Sequence, residues 1–372
     1  MPVTLRAGVR QGAVLSLAFG AVLFTGAVTG AWSGAPADGR PPTSSSDALA
    51  GRDLAGASLS RQQAERLVAE GGDPWAAYYT PEEYTDLTKG RYRGVGLSVR
   101  RAADGATTVD RVHPDGPARQ AGIAAGDVLL GIDGTPADRL PVTEVVAGLR
   151  GEVGTAVELT VRRPGGPARE LTLRRAELAA RDVTVEQLRP GVVKVAVRGF
   201  TAGVAAEVAQ AVRGARGVLL DLRGNSGGLV DQAVGTASLF LDGGPVASYQ
   251  ERGERRELTA ARGGDTTVPL VVLVDGGTMS AAELLAGALQ DRSRAVLVGS
   301  RTFGKGTVQQ PSRLADGAVL ELTVGRYATP AGRSPDGTGL TPDVPQPPGG
   351  DPEAVTRLAD TVLSGLGRGQ MG

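Results

Sequence analysis

The chain has no cysteine and only one histidine in 372 residues. Without thiols there are no disulfides, no thiolate metal site and no lipid-bearing cysteine. With one imidazole, any metal site would need oxygen ligands throughout, and no carboxylate cluster suggests one. No metal is therefore expected, and no organic cofactor is expected either. Aromatic residues make up 3% of the chain, so its cores must be built from Val, Leu, Ile and Ala. Net charge is zero, with 40 basic and 40 acidic residues. That balance lacks the electrostatic footprint of a nucleic-acid-binding protein. Lysine is scarce as well: Lys89, Lys194 and Lys305 are the only ones.

What remains is an apolar fraction of 41% and a length sufficient for two or three domains. Arg6 and Arg10 precede an uncharged, largely apolar run, "GAVLSLAFGAVLFTGAVTGAW", residues 12–32. About 20 such residues can span a bilayer, and a basic flank on one side reads as an export signal. A small-residue cleavage site follows at Ala35-Pro-Ala37. A retained membrane anchor and a cleaved signal both stay open. Either one puts the bulk of the chain outside the cytoplasm, in the cell envelope or secreted.

The organisation along the chain follows from changes of period. Residues 1–35 form the signal or anchor, and 36–58, rich in Pro, Ser and small residues, a flexible tether. Residues 59–89 are helical, with Ser60 and Thr80 as caps and Pro81 at a first helical position. Residues 90–178 alternate in short runs with two helical stretches, as in a small, partly open β-barrel. Residues 179–346 alternate apolar strands with helices of 10–14 residues, the pattern of parallel βαβ units. Residues 347–372 are a polar tail closing in a short helix. The expected fold class is α/β: a mixed, mainly parallel sheet core with an inserted β-barrel and an N-terminal hydrophobic anchor.

The chemistry concentrates in "VDGGTMSAAELLAGALQDRSRAVLVGSRTFGKGTVQQ", residues 274–310. Ser280 follows a strand and opens a helix. Helix N-termini present unpaired N–H groups that can stabilise an oxyanion. Ser280 is thus either a nucleophile or an ordinary N-cap. The only histidine, His113, falls in a turn of the β-rich segment. Nearby candidate bases are Lys305, Glu283 and Asp291. A carboxylate is a weak base toward a hydroxyl. A lysine can serve if desolvation keeps it neutral. Glycines on both sides of Lys305 let the backbone approach closely, although a solvated lysine in a Gly-rich turn has the same sequence. A second Gly cluster, "LLDLRGNSGGLV", also lies at a strand end. It is either a second oxyanion donor, through Gly227 and Gly228, or a bare helix-entry turn. It lacks the phosphate-loop signatures.

Taken together and in order, these stretches resemble the carboxyl-terminal processing proteases, the S41 serine peptidases that carry a PDZ domain. The resemblance rests on "DPWAAYYTPEEY", "YRGVGLSV", "GPARQAGIAAGDVLLGIDG", "VLLDLRGNSGGLVDQAV", "TMSAAELLAGALQD", "GKGTVQ" and "YATPAGRSPDGTGLTPDV". It covers residues 59–345. It implies that Ser280 is the nucleophile of a serine–lysine dyad, Lys305 the general base, and Gln309 a holder of the lysine amine. The backbone N–H of Gly227 or Gly228, with that of Ala281, would form the oxyanion hole, and Asp291 would be structural. The loop Gly94-Val95-Gly96-Leu97 would bind the C-terminus of a protein or peptide substrate, with the tail added to the adjacent strand edge. Gating of the cleft by the PDZ domain, inserted ahead of the core, and a homo-oligomer or an activating partner are further expectations. Met279 and Ser226 depart from the usual residues beside the serine and the Gly pair. The rival readings are a non-catalytic peptide-binding or scaffold protein on the same fold, and an acyl-CoA enzyme.

Overall fold

The computed structural model describes residues 56–101, 105–140, 142–251 and 254–369. The expected anchor and most of the tether lie outside them. Among the described residues no helix is long and apolar enough to cross a membrane. The chain forms two compact units, one spanning Tyr92–Leu178 and the other built from the segments on either side of it.

The Tyr92–Leu178 unit is antiparallel. Its sheet runs in the order Leu97–Arg101, Thr107–Val112, Val128–Ile132, Ala156–Arg162 and Ala168–Arg174. Strict alternation builds its core. In "AVELTVR" the residues Val157, Leu159 and Val161 point inward and are buried, while Ala156, Glu158 and Arg162 are exposed. The helix Val142–Leu149 packs beside the edge strand Leu97–Arg101 and buries Val145 and Leu149 in the same core.

The larger unit holds two sheets. The first runs Val183–Arg189, Val192–Val197, Gly217–Asp221, Leu270–Val274, Val296–Gly299 and Val344–Pro345. Its first pairing is antiparallel and the remaining ones are parallel. All five residues of Leu270–Val274 are buried because helices cover both faces. Successive side chains of a strand alternate in direction. Val272 and Val274 face the helices Val204–Val212, Val230–Ser238 and Ala281–Asp291. Val271 and Leu273 face the C-terminal helix Pro352–Gly369 through Ala359 and Leu363.

The second sheet corrects the expectation of a mainly parallel core. It comprises Ala77–Tyr79, Val319–Ala328, Pro245–Glu251 and Glu254–Thr259, with Thr307–Arg313 also on Val319–Ala328, and every pairing in it is antiparallel. Counted over both sheets, antiparallel pairings are in the majority. The reason is visible in burial. Glu254–Thr259 is exposed along nearly its whole length, and Thr307–Arg313 has no fully buried residue. Strands without a buried face carry no apolar signature.

Candidate active site

Two loops at the C-terminal edge of the parallel sheet are knitted together. One, residues 222–229, follows Gly217–Asp221. The other, residues 275–280, follows the neighbouring strand Leu270–Val274. Asp275 Oδ1 accepts the N–H groups of Gly224 (2.8 Å) and Gly277 (2.9 Å), and Thr278 Oγ1 donates to Leu222 O at 2.9 Å. The fully buried Asn225 completes the lock: its carbonyl accepts Met279 N–H at 2.8 Å, and its Nδ2 donates to Val197 O at 3.0 Å. Gly227 then lies against the serine. A Cβ there would meet Ser280 Cβ at 3.0 Å and the Ala281 nitrogen at 3.3 Å, and its φ is +97°. Only glycine combines that close approach with that backbone.

Ser280 has φ 52° and ψ −119°. An ordinary N-cap is extended, so this serine is not one. Non-glycine residues in such regions carry about 1–3 kcal/mol of strain and persist where surrounding bonds impose them. Those bonds are present. Ser280 N–H donates to Glu283 Oε2 at 3.0 Å, and Tyr327 Oη donates to Ser280 O at 3.2 Å. The strained strand-to-helix turn sets a half-buried serine at the first helical N–H groups, the arrangement of a nucleophile elbow.

Glu283 has no exposed surface. Its Oε2 accepts both Ser280 N–H and Lys305 N–H (2.9 Å), and its Oε1 accepts Gly304 N–H (2.8 Å) and Thr302 Oγ1–H (2.5 Å). Burial pushes this carboxyl above its ordinary pKa, and the four donors pull it back. With both oxygens engaged, Glu283 is a clamp and not a free base. Because one oxygen binds both backbones, the nitrogens of Ser280 and Lys305 are within about 6 Å of each other.

The Lys305 amine is placed differently from expectation. Its Nζ lies over the ring of Trp75, 4.2 Å from the centroid. Among the described residues no hydrogen bond joins it to Ser280 Oγ. Burial lowers its pKa from 10.5, against the negative charges of Glu321, Asp73 and Glu283. Gln309 Nε2 donates to Thr307 Oγ1 and Thr323 Oγ1, each at 3.0 Å. Among the described residues it makes no bond to the lysine, and no bond to its Oε1. Asp73 in turn accepts Thr323 N–H and Trp75 N–H, which fixes the segment bearing the ring.

The two glycines of the Gly pair differ. Gly227 N–H donates to Asn225 Oδ1 at 2.8 Å and is buried. The exposed Gly228 holds Phe200 in a parallel bridge through its neighbours, and none of the bonds among the described residues uses its own N–H. Asp291 anchors a loop by accepting Ala331 N–H and pairing with Arg333. Sequence reading missed Asn225, Trp75 and the clamping role of Glu283. The pattern S-x-x-E at a helix start was the available signal for Glu283.

In the other unit, Gly94-Val95-Gly96-Leu97 leads into the edge strand. Val95 N–H donates to Leu149 O at 3.2 Å, and His113 N–H donates to Gly96 O at 2.8 Å. Leu97 therefore faces Val112 in a non-hydrogen-bonded pair, with its own N–H turned to the open edge.

Residues 191–346 match the model of peptidase family S41, and residues 108–163 match that of a PDZ domain. The class is that of a PDZ-bearing peptidase. The chain is 36% identical to the chloroplastic C-terminal processing peptidase of Tetradesmus obliquus, over 81% of this chain and 70% of that protein. It is also 36% identical to the chloroplastic carboxyl-terminal-processing peptidase 2 of Arabidopsis thaliana, over 76% of this chain and 59% of that longer protein. The solved structure of a photosystem II D1 C-terminal processing protease superposes with a TM-score of 0.55 at 32% identity, covering 82% of this chain and 88% of that one. The chain belongs to peptidase family S41, among its carboxyl-terminal-processing members.

Proposed function

We propose that the protein is a serine endopeptidase that cleaves proteins or peptides recognised by their free C-termini. The observation that supports this reading most directly is the shared carboxylate oxygen of Glu283, which holds the backbones of Ser280 and Lys305 side by side. Ser280 Oγ attacks the scissile carbonyl carbon while neutral Lys305 Nζ takes the hydroxyl proton. The carbonyl oxygen, now an oxyanion, is held by the N–H groups of Gly228 and Ala281; the Gly227 N–H is already engaged by Asn225. Collapse of the tetrahedral intermediate breaks the C–N bond. The lysine returns the proton to the leaving amine, and the acyl-enzyme is released by water that gives its proton to Lys305. For this the lysine amine leaves the Trp75 face and turns to Ser280, with Gln309 Oε1 as the acceptor that orients it.

The open edge of Leu97–Arg101 suits an extended tail added as a further strand. The apolar run 12–32 with its basic flank supports export, with the chain tethered at a membrane or released from it.

The test is mass spectrometry of fragments from casein and from a folded substrate with an apolar C-terminal tail. Wild type should cleave both, and Ser280→Ala and Lys305→Ala should abolish every cleavage. Fragments that persist in both variants would overturn the assignment. Undiminished tail binding with no turnover by wild type would favour a scaffold on this fold.

A further inference from the structure

Gln309 has two ends to its amide, and only one of them serves the reaction. A neutral lysine amine carries two N–H bonds and one lone pair. To take the Ser280 proton its lone pair must face the hydroxyl, so an N–H must find an acceptor elsewhere. Gln309 Oε1 is that acceptor. A flipped amide would set its NH2 against the amine, a donor against a donor.

Thr323 decides the flip. Gln309 Nε2 donates to Thr307 Oγ1 and to Thr323 Oγ1, each at 3.0 Å, so both hydrogens of the NH2 are used. A hydroxyl by itself does not choose between the two ends, because it both donates and accepts. The Thr323 hydroxyl has its single hydrogen committed: it donates to Asp73 Oδ1 at 3.0 Å. Asp73 is held as an acceptor by two backbone donors, Thr323 N–H on Oδ2 at 2.8 Å and Trp75 N–H on Oδ1 at 2.9 Å. Backbone N–H groups cannot reverse. The polarity therefore runs one way, from the Gln309 NH2 through Thr323 to Asp73, and leaves Oε1 for the lysine.

The strand register builds this path. Thr323 lies in Val319–Ala328, which pairs with Ala77–Tyr79 along one edge and Thr307–Arg313 along the other. Asp73 arrives from the first side and Gln309 from the second. Val308 pairs with Gly325, yet Gln309 pairs with Thr323. An unbroken register would set Gln309 opposite Val324, which has no hydroxyl. The bulge brings Thr323 to the glutamine instead, and bulges beside active sites re-aim side chains in this way. Asp73 also fixes Trp75, over whose ring the amine rests. Both stations of the amine thus depend on one carboxylate.

We infer that Asp73 and Thr323 are positioning residues that lock the amide of Gln309 with Oε1 toward the Lys305 amine, an inference that rests on the serine–lysine reading given above.

The experiment is steady-state cleavage, by the full chain, of a quenched-fluorescence peptide with a free apolar C-terminus. Thr323→Val keeps the shape and removes the hydroxyl. It should lower kcat by about 10- to 100-fold, the scale of a misplaced catalytic group, with KM unchanged. Thr323→Ser restores the hydroxyl and should recover most of the rate. In a Gln309→Ala background Thr323→Val should cause no further loss, because the two residues act as one unit. Asp73→Asn is the second variant, read through its pH profile. Burial lowers the Lys305 pKa, and Glu321, Asp73 and Glu283 oppose it, so removing the Asp73 charge should move the inflection down. The lock predicts that the plateau rate falls as well. A wild-type kcat in Thr323→Val, a loss carried in KM, or the same loss repeated in the Gln309→Ala background overturns the inference. So does an Asp73→Asn enzyme whose plateau holds. Gln309→Ala at the wild-type rate overturns it too, and leaves Ser280 and Lys305 standing. Absence of cleavage by wild type, or cleavage that survives Ser280→Ala, removes the serine–lysine reading and this inference with it.

Discussion

Replacing Ser280 with glycine should make the protein more stable as well as inactive. At φ 52° and ψ −119° an L side chain is strained by about 1–3 kcal/mol. Glycine adopts this conformation without a Cβ penalty, but its unfolded chain gains freedom that costs about 0.5–1 kcal/mol. The net expected gain is about 0.5–2 kcal/mol. Alanine is the necessary comparison. Ser280→Ala also loses the hydroxyl but keeps the Cβ, so it retains the strain and should match wild type closely. Urea unfolding followed by Trp75 emission in a Trp32→Phe background would read this unit, since Trp75 packs edge-on to Phe303 inside the site at 6.4 Å. With a slope of about 2 kcal/mol/M, the glycine variant's midpoint should lie about 0.25–1 M above that of the alanine variant, with equal slopes. A glycine midpoint equal to or below the alanine one would refute the claim that strain is stored at the nucleophile.

Cleavage should rise with pH as Lys305 loses its proton, with an inflection below that of a free lysine, because burial lowers its pKa. Glu321 favours the charged ammonium, so Glu321→Gln should move that inflection further down; an upward shift measured in the kcat/KM profile would contradict this electrostatic reading. Glu283→Gln places an NH2 against backbone donors. It should leave at least one buried N–H unpaired, lowering stability by about 1–3 kcal/mol per orphan, and should reduce kcat by about 100-fold through misplacement of Ser280 and Lys305. Full activity of a stably folded Glu283→Gln enzyme in a peptide-cleavage assay would show that the clamp is dispensable.

The α/β character and the two helix starts at Ser60 and Thr80 were legible because they depend on local spacing and capping chemistry. Both capping boxes are present. The antiparallel second sheet was not, since its strands bury little and alternate weakly. At the site, sequence could bring forward Ser280 and Lys305 through their Gly-rich settings. It could not show that the lysine amine rests on Trp75, because that ring comes from a segment 230 residues earlier in the chain. Nor could it separate Gly227 from Gly228. Only the turn of Asn225 onto one of the two amides does that.

The supports of the site come from widely separated parts of the chain. Strand Ala77–Tyr79 waits for Glu321, Leu320 and Val319 as partners. Arg223 bonds Pro352 O and Thr356, and Arg189 pairs with Asp360. A ribosome releases these partners more than a hundred residues apart, and closing such long loops slows folding. Until the last of them emerges, the sheet beneath Ser280 lacks its outer cover and Asp73 lacks Thr323. A nascent chain would therefore carry its nucleophile in an unassembled state, harmless to the ribosome-bound polypeptide around it, and become competent only once the segment through Asp360 has been made.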